Sequence, residues 1–239
     1  MRKILLLLLL PGLLLTQASG IAQTRFIEDP YTYRKGEPFG TGKWFMGREI
    51  AHVMGYQGMA WLERDEREAE ERTSRLLRNM DIQPGDTIVD VGAGSGYHVF
   101  RMAPMASRGL VYAVDIQEEM LEAIRGKKKA LGQGNVVEVM GTERSIELPE
   151  GIAHKALMVD VYHEFSHPLE MLASIRKALK PGGKLYLVEY RGEDPEVPIK
   201  RLHKMTEAQA VKELQAAGFR LERNLDNLPW QHCMVFVRE

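Results

Sequence analysis

Two short stretches hold the residues best suited to chemistry. In "DTIVDVGAGSGYHVFRMA", residues 86–103, three glycines (Gly92, Gly94 and Gly96) follow an apolar run that ends in Val91. A glycine-rich turn between a strand and a helix lets backbone N–H groups approach a ligand at the helix N-terminus, as in several nucleotide-binding families. The spacing narrows the ligand. A dinucleotide loop needs G-x-G-x-x-G, whereas here the third glycine arrives one position early and Tyr97 stands where it should be. A triphosphate loop needs a Lys-Ser or Lys-Thr pair that does not follow. The second stretch, "DVYHEFSHP", residues 160–168, sets His163 beside Glu164. Imidazole titrates close to neutral pH and a carboxylate neighbour can orient it, so the pair suits a general base acting on a protonated nucleophile. His203, in "EDPEVPIKRLHKM", is a second candidate. No metal site is expected from His163, His167 and His203, because the first two face different ways on most backbones.

The elements that must position these residues alternate in type. Short β-rich runs at 87–91, 110–114, 136–139, 156–161 and 184–189 are separated by helical segments, which implies a parallel sheet covered on both faces. One helix runs from about Pro168 to Leu179, with Leu169, Leu172, Ile175 and Leu179 facing inward and "KPGG" stopping it. Another opens with a capping box, Thr206 to Gln209, and ends at Gly218. Two strand-like runs then follow with no helix between them, so they pair antiparallel. Ahead of the sheet, residues 61–80 read as one surface helix with an apolar stripe of Ala69, Thr73, Leu76, Leu77 and Met80. Residues 23–58, rich in Gly, Pro and aromatics, read as an irregular arm. Its Trp44, Phe45 and methionines, with Trp61, are placed to cover a pocket or to pack on the core.

The chain resembles the class I S-adenosylmethionine-dependent methyltransferases in four segments, "VDVGAGSG" (89–96), "VYAVDIQEEML" (111–121), "LKPGGKLYLVEY" (179–190) and "AAGFRL" (216–221), in the family's order and spacing. The resemblance covers roughly residues 70 to 239. It implies a doubly wound, mostly parallel seven-stranded α/β sheet closed by the C-terminal antiparallel hairpin, with S-adenosyl-L-methionine bound across the strand ends. Carried over by position, Gly92, Gly94 and Gly96 cradle the methionine part, with Asp90 beneath them near its amino group. Asp115 meets the ribose hydroxyls, Ile116 packs on the adenine, and Asp160 closes the fourth strand beside the cofactor. The family often has Gly-Asp after the third strand to meet the adenine amino group; here the pair is Gly141-Thr142, with Glu143 as the substitute carboxylate. His163 and Glu164 then fall beside the transferable methyl and are the expected catalytic pair. A small-molecule acceptor is expected. The alternatives are a protein (isoaspartate-type) O-methyltransferase, suggested by "GAGSGY", and a binding protein without turnover.

Composition sets the remaining bounds. The chain has 239 residues, 44% of them hydrophobic, enough for one sizeable domain with a small appendage. Its net charge of −1, with acids and bases interspersed, offers no broad field for nucleic acid or an anionic membrane. A single cysteine, Cys233, excludes intramolecular disulfides. The N-terminus, "MRK" before "ILLLLLLPGLLL" and then small and polar residues, has the layout of an export signal. Residues 1–22 are therefore expected to be cleaved, leaving no transmembrane span and an arm with cap helix (23–80) ahead of the methyltransferase domain (81–239). The alternative is an uncleaved anchor that holds the rest of the chain outside the cytosol.

Overall fold

The computed structural model describes residues 29–239. The expected export signal lies outside the described residues, and no described helix is long and apolar enough to cross a membrane.

The arm is more ordered than its composition suggests. It forms a small antiparallel sheet of β1 (Tyr31–Tyr33), β2 (Gly40–Phe45) and β3 (Arg48–Ala51). Between β2 and β3, Met46 and Gly47 both take positive φ, 48° and 98°, the backbone that a tight two-residue hairpin requires. The flanking runs are too short for alternation to stand out, which is why the sequence shows no period. Tyr31, Phe45 and Ile50 form the sheet's own apolar cluster and pack against Leu169.

The single helix expected over 61–80 is three pieces, α1 (Met59–Leu62), α2 (Arg67–Glu71) and α3 (Thr73–Met80). Arg72, at φ 50°, makes the break before α3. Thr73, Leu76, Leu77 and Met80 are buried as expected, but Ala69 faces solvent while Arg67 and Glu71 turn inward. Burial of these charges is tolerable because they neutralise each other: Arg67 Nε donates to Glu71 Oε2 at 2.6 Å.

The main domain follows the alternating pattern: β4 (Thr87–Val91), α4 (Val99–Met102), β5 (Leu110–Asp115), α5 (Glu118–Leu131), β6 (Val136–Met140), β7 (Ala153–Val159), α6 (Pro168–Ala178), β8 (Leu179–Tyr190), α7 (Glu207–Ala216), β9 (Phe219–Asn224) and β10 (Gln231–Arg238). These strands form one sheet in the order β6-β5-β4-β7-β8-β10-β9. The pairings from β6 through β8 are parallel, and β10 runs antiparallel to both of its neighbours. The doubly wound seven-stranded sheet with a closing hairpin is therefore as expected. Alternation sends Val89 and Leu187 to one face, against Leu172, Ile175 and Leu214, and Ile88 and Val188 to the other, against Leu76, Val99 and Ile124. At the start of α7, Thr206 accepts the Gln209 N–H at 3.2 Å, while the Gln209 side chain reaches Met46 O instead of closing the box. Chain order reverses between β4 and β7, so a crevice opens at the carboxyl ends of these strands.

Candidate active site

The crevice begins where β4 ends. Gly92 and Gly94 turn the chain toward α4 at φ 73° and 54°, a region that costs other residues roughly 1–2 kcal/mol. A Cβ on Gly92 would stand 2.4 Å from Val161 Cγ2, and one on Gly94 2.7 Å from Leu62 Cδ1. Both glycines line a cavity of about 460 Å³. Gly96, also at positive φ, lies behind them against Phe100. Asp115 closes β5 and is locked to the loop: its Oδ2 accepts the Gly94 N–H and its Oδ1 the Gln117 N–H, each at 2.9 Å. Burial pushes its carboxyl up and these two donors oppose the rise. Ile116, 42% exposed, lines the cavity next to it.

The inner end of the cavity is acidic. Asp160 sits at φ 50° after β7 and accepts Gln231 Nε2 on Oδ2 at 2.7 Å, but its Oδ1 has no partner. Burial raises its pKa well above the carboxylate range, and the Glu71 and Glu189 charges add to the shift. Asp90, buried behind the cavity lining, has its Oδ2 unpartnered too; burial lifts it to about 7 against the pull of Arg67. An orphaned buried carboxylate oxygen is costly unless a donor meets it. The ammonium group of S-adenosylmethionine is such a donor, and Arg67, which lines the same end, is a partner for its carboxylate. The residues present therefore fit this cofactor. Arg67 was invisible in the sequence because "EREAEE" reads as a solvated helix face.

At the rim, the Gly141 N–H donates to Asp115 O at 2.9 Å, and Thr142 Oγ1 accepts the Arg144 N–H at 3.2 Å. Glu143 lines the rim with its side chain 63% exposed, and its Oε2 lies 3.4 Å from His167 Nδ1.

Past β7, a 3-10 turn (Tyr162–Glu164) carries His163 and Glu164 into the cavity. Glu189, at the end of β8, fixes this turn. Its Oε1 accepts the N–H groups of Tyr162 (2.9 Å) and His163 (3.3 Å), and its Oε2 lies 2.6 Å from His163 Nδ1. Arg48 of β3 holds the turn from the other side by donating to His163 O at 3.0 Å, while its guanidinium forks onto Glu213 at 2.8 Å. A second 3-10 turn (Arg201–His203) brings His203 Nδ1 to 3.0 Å from His163 Nε2. Glu164 Oε1 stands 3.8 Å from each of these nitrogens and accepts the Met54 N–H at 3.2 Å. Burial alone would lower the His163 pKa, but the Glu189 carboxylate outweighs it and raises the imidazole. Burial lifts Glu164 to about 7, and burial with the adjacent His163 drops His203 to about 4. His167 turns away toward Ser166, Arg144 and Glu143. His98 is buried beside Tyr97 at the start of α4.

Two segments cover the cavity. Val53, Met54, Trp61 and Leu62 come from the arm side, and Pro198, Ile199 and Lys200 from the loop after β8. Gln117 ties the first segment down, donating to Met54 O at 3.0 Å and accepting the Tyr56 N–H at 2.8 Å.

A glycine cradle beside a strand-end acid, in a seven-stranded sheet that closes with an antiparallel hairpin, defines a class I S-adenosylmethionine-dependent methyltransferase. Residues 82–231 match the family model described as a methyltransferase domain, and the chain belongs to that family. Curated relatives include the uncharacterised methyltransferase YdaC of Bacillus subtilis (strain 168), 28% identical over 60% of this chain and 76% of that protein. A protein-L-isoaspartate O-methyltransferase of Aeropyrum pernix is 34% identical over 45% of this chain and 37% of its own. A tRNA U34 carboxymethyltransferase of Pseudoalteromonas translucida is 30% identical over 67% of this chain and 51% of its own. The chain thus spans about half or less of the last two. Among solved structures, a SAM-dependent methyltransferase from Aquifex aeolicus superposes with a TM-score of 0.72 at 25% identity, covering 77% of this chain and 98% of that one.

Proposed function

We propose that the protein methylates a small-molecule acceptor that enters beside His163 and Glu164. When bound, S-adenosylmethionine supplies an electrophilic methyl on its sulfonium. The chain's own work is positional. Gly92 and Gly94 admit the cofactor by leaving out side chains, Asp115 accepts from the ribose hydroxyls, and Ile116 covers the adenine. Thr142 and Glu143 stand at the adenine edge. Asp160 answers the ammonium group, with Asp90 adding its charge from behind the lining, and Arg67 answers the carboxylate. His163 and Glu164, oriented by Glu189 and Met54, meet the acceptor and ease the loss of its proton, while the segments around Met54 and Ile199 exclude water.

The observation that carries the small-molecule reading is the enclosure of the acceptor end: His163 is 2% exposed, under cover from both the arm and the loop after β8. A cavity of about 460 Å³ that must also hold the cofactor leaves room for a compact acceptor. The net charge of −1 supports the same choice over a polyanion. The likeness to the Aeropyrum isoaspartate enzyme favours a second reading, a protein acceptor. The test is transfer of labelled methyl from S-adenosylmethionine to a panel of thiols, amines and hydroxyl compounds, beside an isoaspartyl peptide and tRNA. Label in a small molecule is expected; label confined to peptide or RNA overturns the proposal. We also propose that the chain works outside the cytosol, because "MRK" precedes a short apolar stretch and small residues. A mature terminus near Ile21 or Gln23 would bear this out, and an intact Met1 on soluble cytosolic protein would overturn it.

A further inference from the structure

The acceptor end holds three side chains in an arrangement that a shared proton explains only partly. His163 Nε2 and His203 Nδ1 stand 3.0 Å apart, and Glu164 Oε1 lies 3.8 Å from each. The three face one point in the cavity wall from two separate turns, the one after β7 and the one after β8. Two ligands held about 2.0–2.1 Å from one zinc ion at the tetrahedral angle lie roughly 3.3 Å apart, a separation these distances bracket.

Three further observations favour a cation. The ring nitrogen of His163 that points away from the cluster, Nδ1, is bound at 2.6 Å to the fully buried Glu189 carboxylate, the partner a metal-bound imidazole ordinarily has on its far side. Glu164 and Glu189 bring two buried carboxylates to this place. The ion pairs they make are with the two imidazoles, and no lysine or arginine pairs with either among the described residues. A divalent charge balances both, where a proton shared between two rings balances at most one. Finally, three protein ligands on one side leave the remaining positions open toward the cavity, the arrangement of a metal that acts on a bound molecule.

We propose that His163 Nε2, His203 Nδ1 and Glu164 Oε1 bind one divalent transition-metal cation of the zinc class, with Glu189 orienting His163 and an open position facing the acceptor. Imidazole and carboxylate together suit zinc or iron(II) rather than calcium or magnesium. This rests on the reading of the cavity as a methyltransferase site and narrows its acceptor to molecules with a metal-binding donor, a thiol or an acidic hydroxyl. With the cation in place, His163 and Glu164 ease the acceptor's loss of a proton through it, since the cation stabilises the acceptor's anion.

The experiment uses the whole chain, purified without a histidine tag and dialysed against a chelator, and titrated with zinc chloride by calorimetry. One equivalent is expected to bind, with a Kd below about 10 µM. Cobalt(II) added instead should give visible d–d bands that zinc displaces. His203→Ala and Glu164→Gln should each weaken zinc binding more than 100-fold, and Glu189→Gln about 10- to 100-fold. Absence of zinc binding in the wild-type protein overturns the proposal without reference to any variant. So does unchanged zinc affinity in His203→Ala, whose side chain is partly exposed at the cavity wall and can be truncated without opening the core. S-adenosylmethionine binding, measured on the same samples, reports separately on the methyltransferase reading: its absence would sink that reading even with zinc bound.

Discussion

At the residue scale, the acidic end of the cavity stores a conflict that a cationic group placed there would relieve. Asp160 faces Glu71 and Glu189, is approached by Arg67 and Tyr190, and has Gln231 as its hydrogen-bond donor. Its raised pKa means that it holds a proton in the cofactor-free protein over a wider pH range than an ordinary carboxylate. An ammonium group favours the ionised form, so S-adenosylmethionine affinity should rise with pH across a window displaced upward from 3.8. The sign for stability is the reverse. A carboxyl raised in the folded state stabilises below its unfolded pKa, and that contribution is lost as pH rises through the folded value. Asp160→Asn, which keeps the left-handed backbone accessible, should therefore weaken and flatten the binding curve while raising the cofactor-free Tm at neutral pH. Calorimetry and thermal melts across pH check both, and an unchanged binding curve would remove Asp160 from the cofactor site. His163 makes a separate prediction. His163→Ala should lower kcat and kcat/KM together by about 10²–10⁴ while leaving cofactor affinity in place. Full turnover in the folded variant would remove His163 from the acceptor end.

At the element scale, the small arm sheet supports the acceptor side of the site from behind. Arg48 of β3 forks onto Glu213 of α7 and donates to His163 O, and Glu213 also accepts the Tyr162 hydroxyl at 2.7 Å. Glu213 is fully buried, so removing its cation leaves an uncompensated charge in the core. Arg48→Ala should cost about 3–5 kcal/mol in denaturant unfolding, and the glutamate should be the cause. The double variant Arg48→Met with Glu213→Leu should recover much of that stability. A loss below 1 kcal/mol in Arg48→Ala would show that the arm merely rests on the domain. Tyr31 and Glu170 make a further hydrogen-bonded tie, between the arm and α6.

At the scale of the whole molecule, the cavity is walled by β4, β5, β7 and β8, by the segment from Val53 to Leu62, and by the loop that ends at His203. A ligand filling it touches the strand ends and both covering segments at once. S-adenosylmethionine at 100 times its Kd should stabilise the fold by about 2.7 kcal/mol. For a chain of this size that is a rise of roughly 5–10 °C in Tm. NAD at the same concentration should leave the melt unchanged, because the loop lacks the dinucleotide spacing. A larger shift with NAD would overturn the cofactor assignment. Amides of 53–62 should exchange more slowly in the complex, since that segment covers the cavity.

What the sequence determined by itself is what depends on neighbours along the chain. A strand that ends in glycines, an acid one strand later and alternating apolar runs are local patterns, and they were enough for the sheet and its closing hairpin and for setting Gly92, Gly94, Asp115, His163 and Glu164 at the strand ends where the cavity opens. The short hairpin at Met46-Gly47 was local too, but the runs on either side are too short for their alternation to stand out. Contacts between distant segments emerge with the folded chain. Arg67 and Glu71 look solvated until the fold buries them against each other and Tyr190. Glu189 is an unremarked end of a strand until β8 lies beside β7 and puts its carboxylate 2.6 Å from His163. His203, forty residues from His163, joins Glu164 at one point because two turns leave adjacent strand ends. Sequence spacing fixes which residues share a turn, but burial and charge pairing across the sheet fix which of them meet.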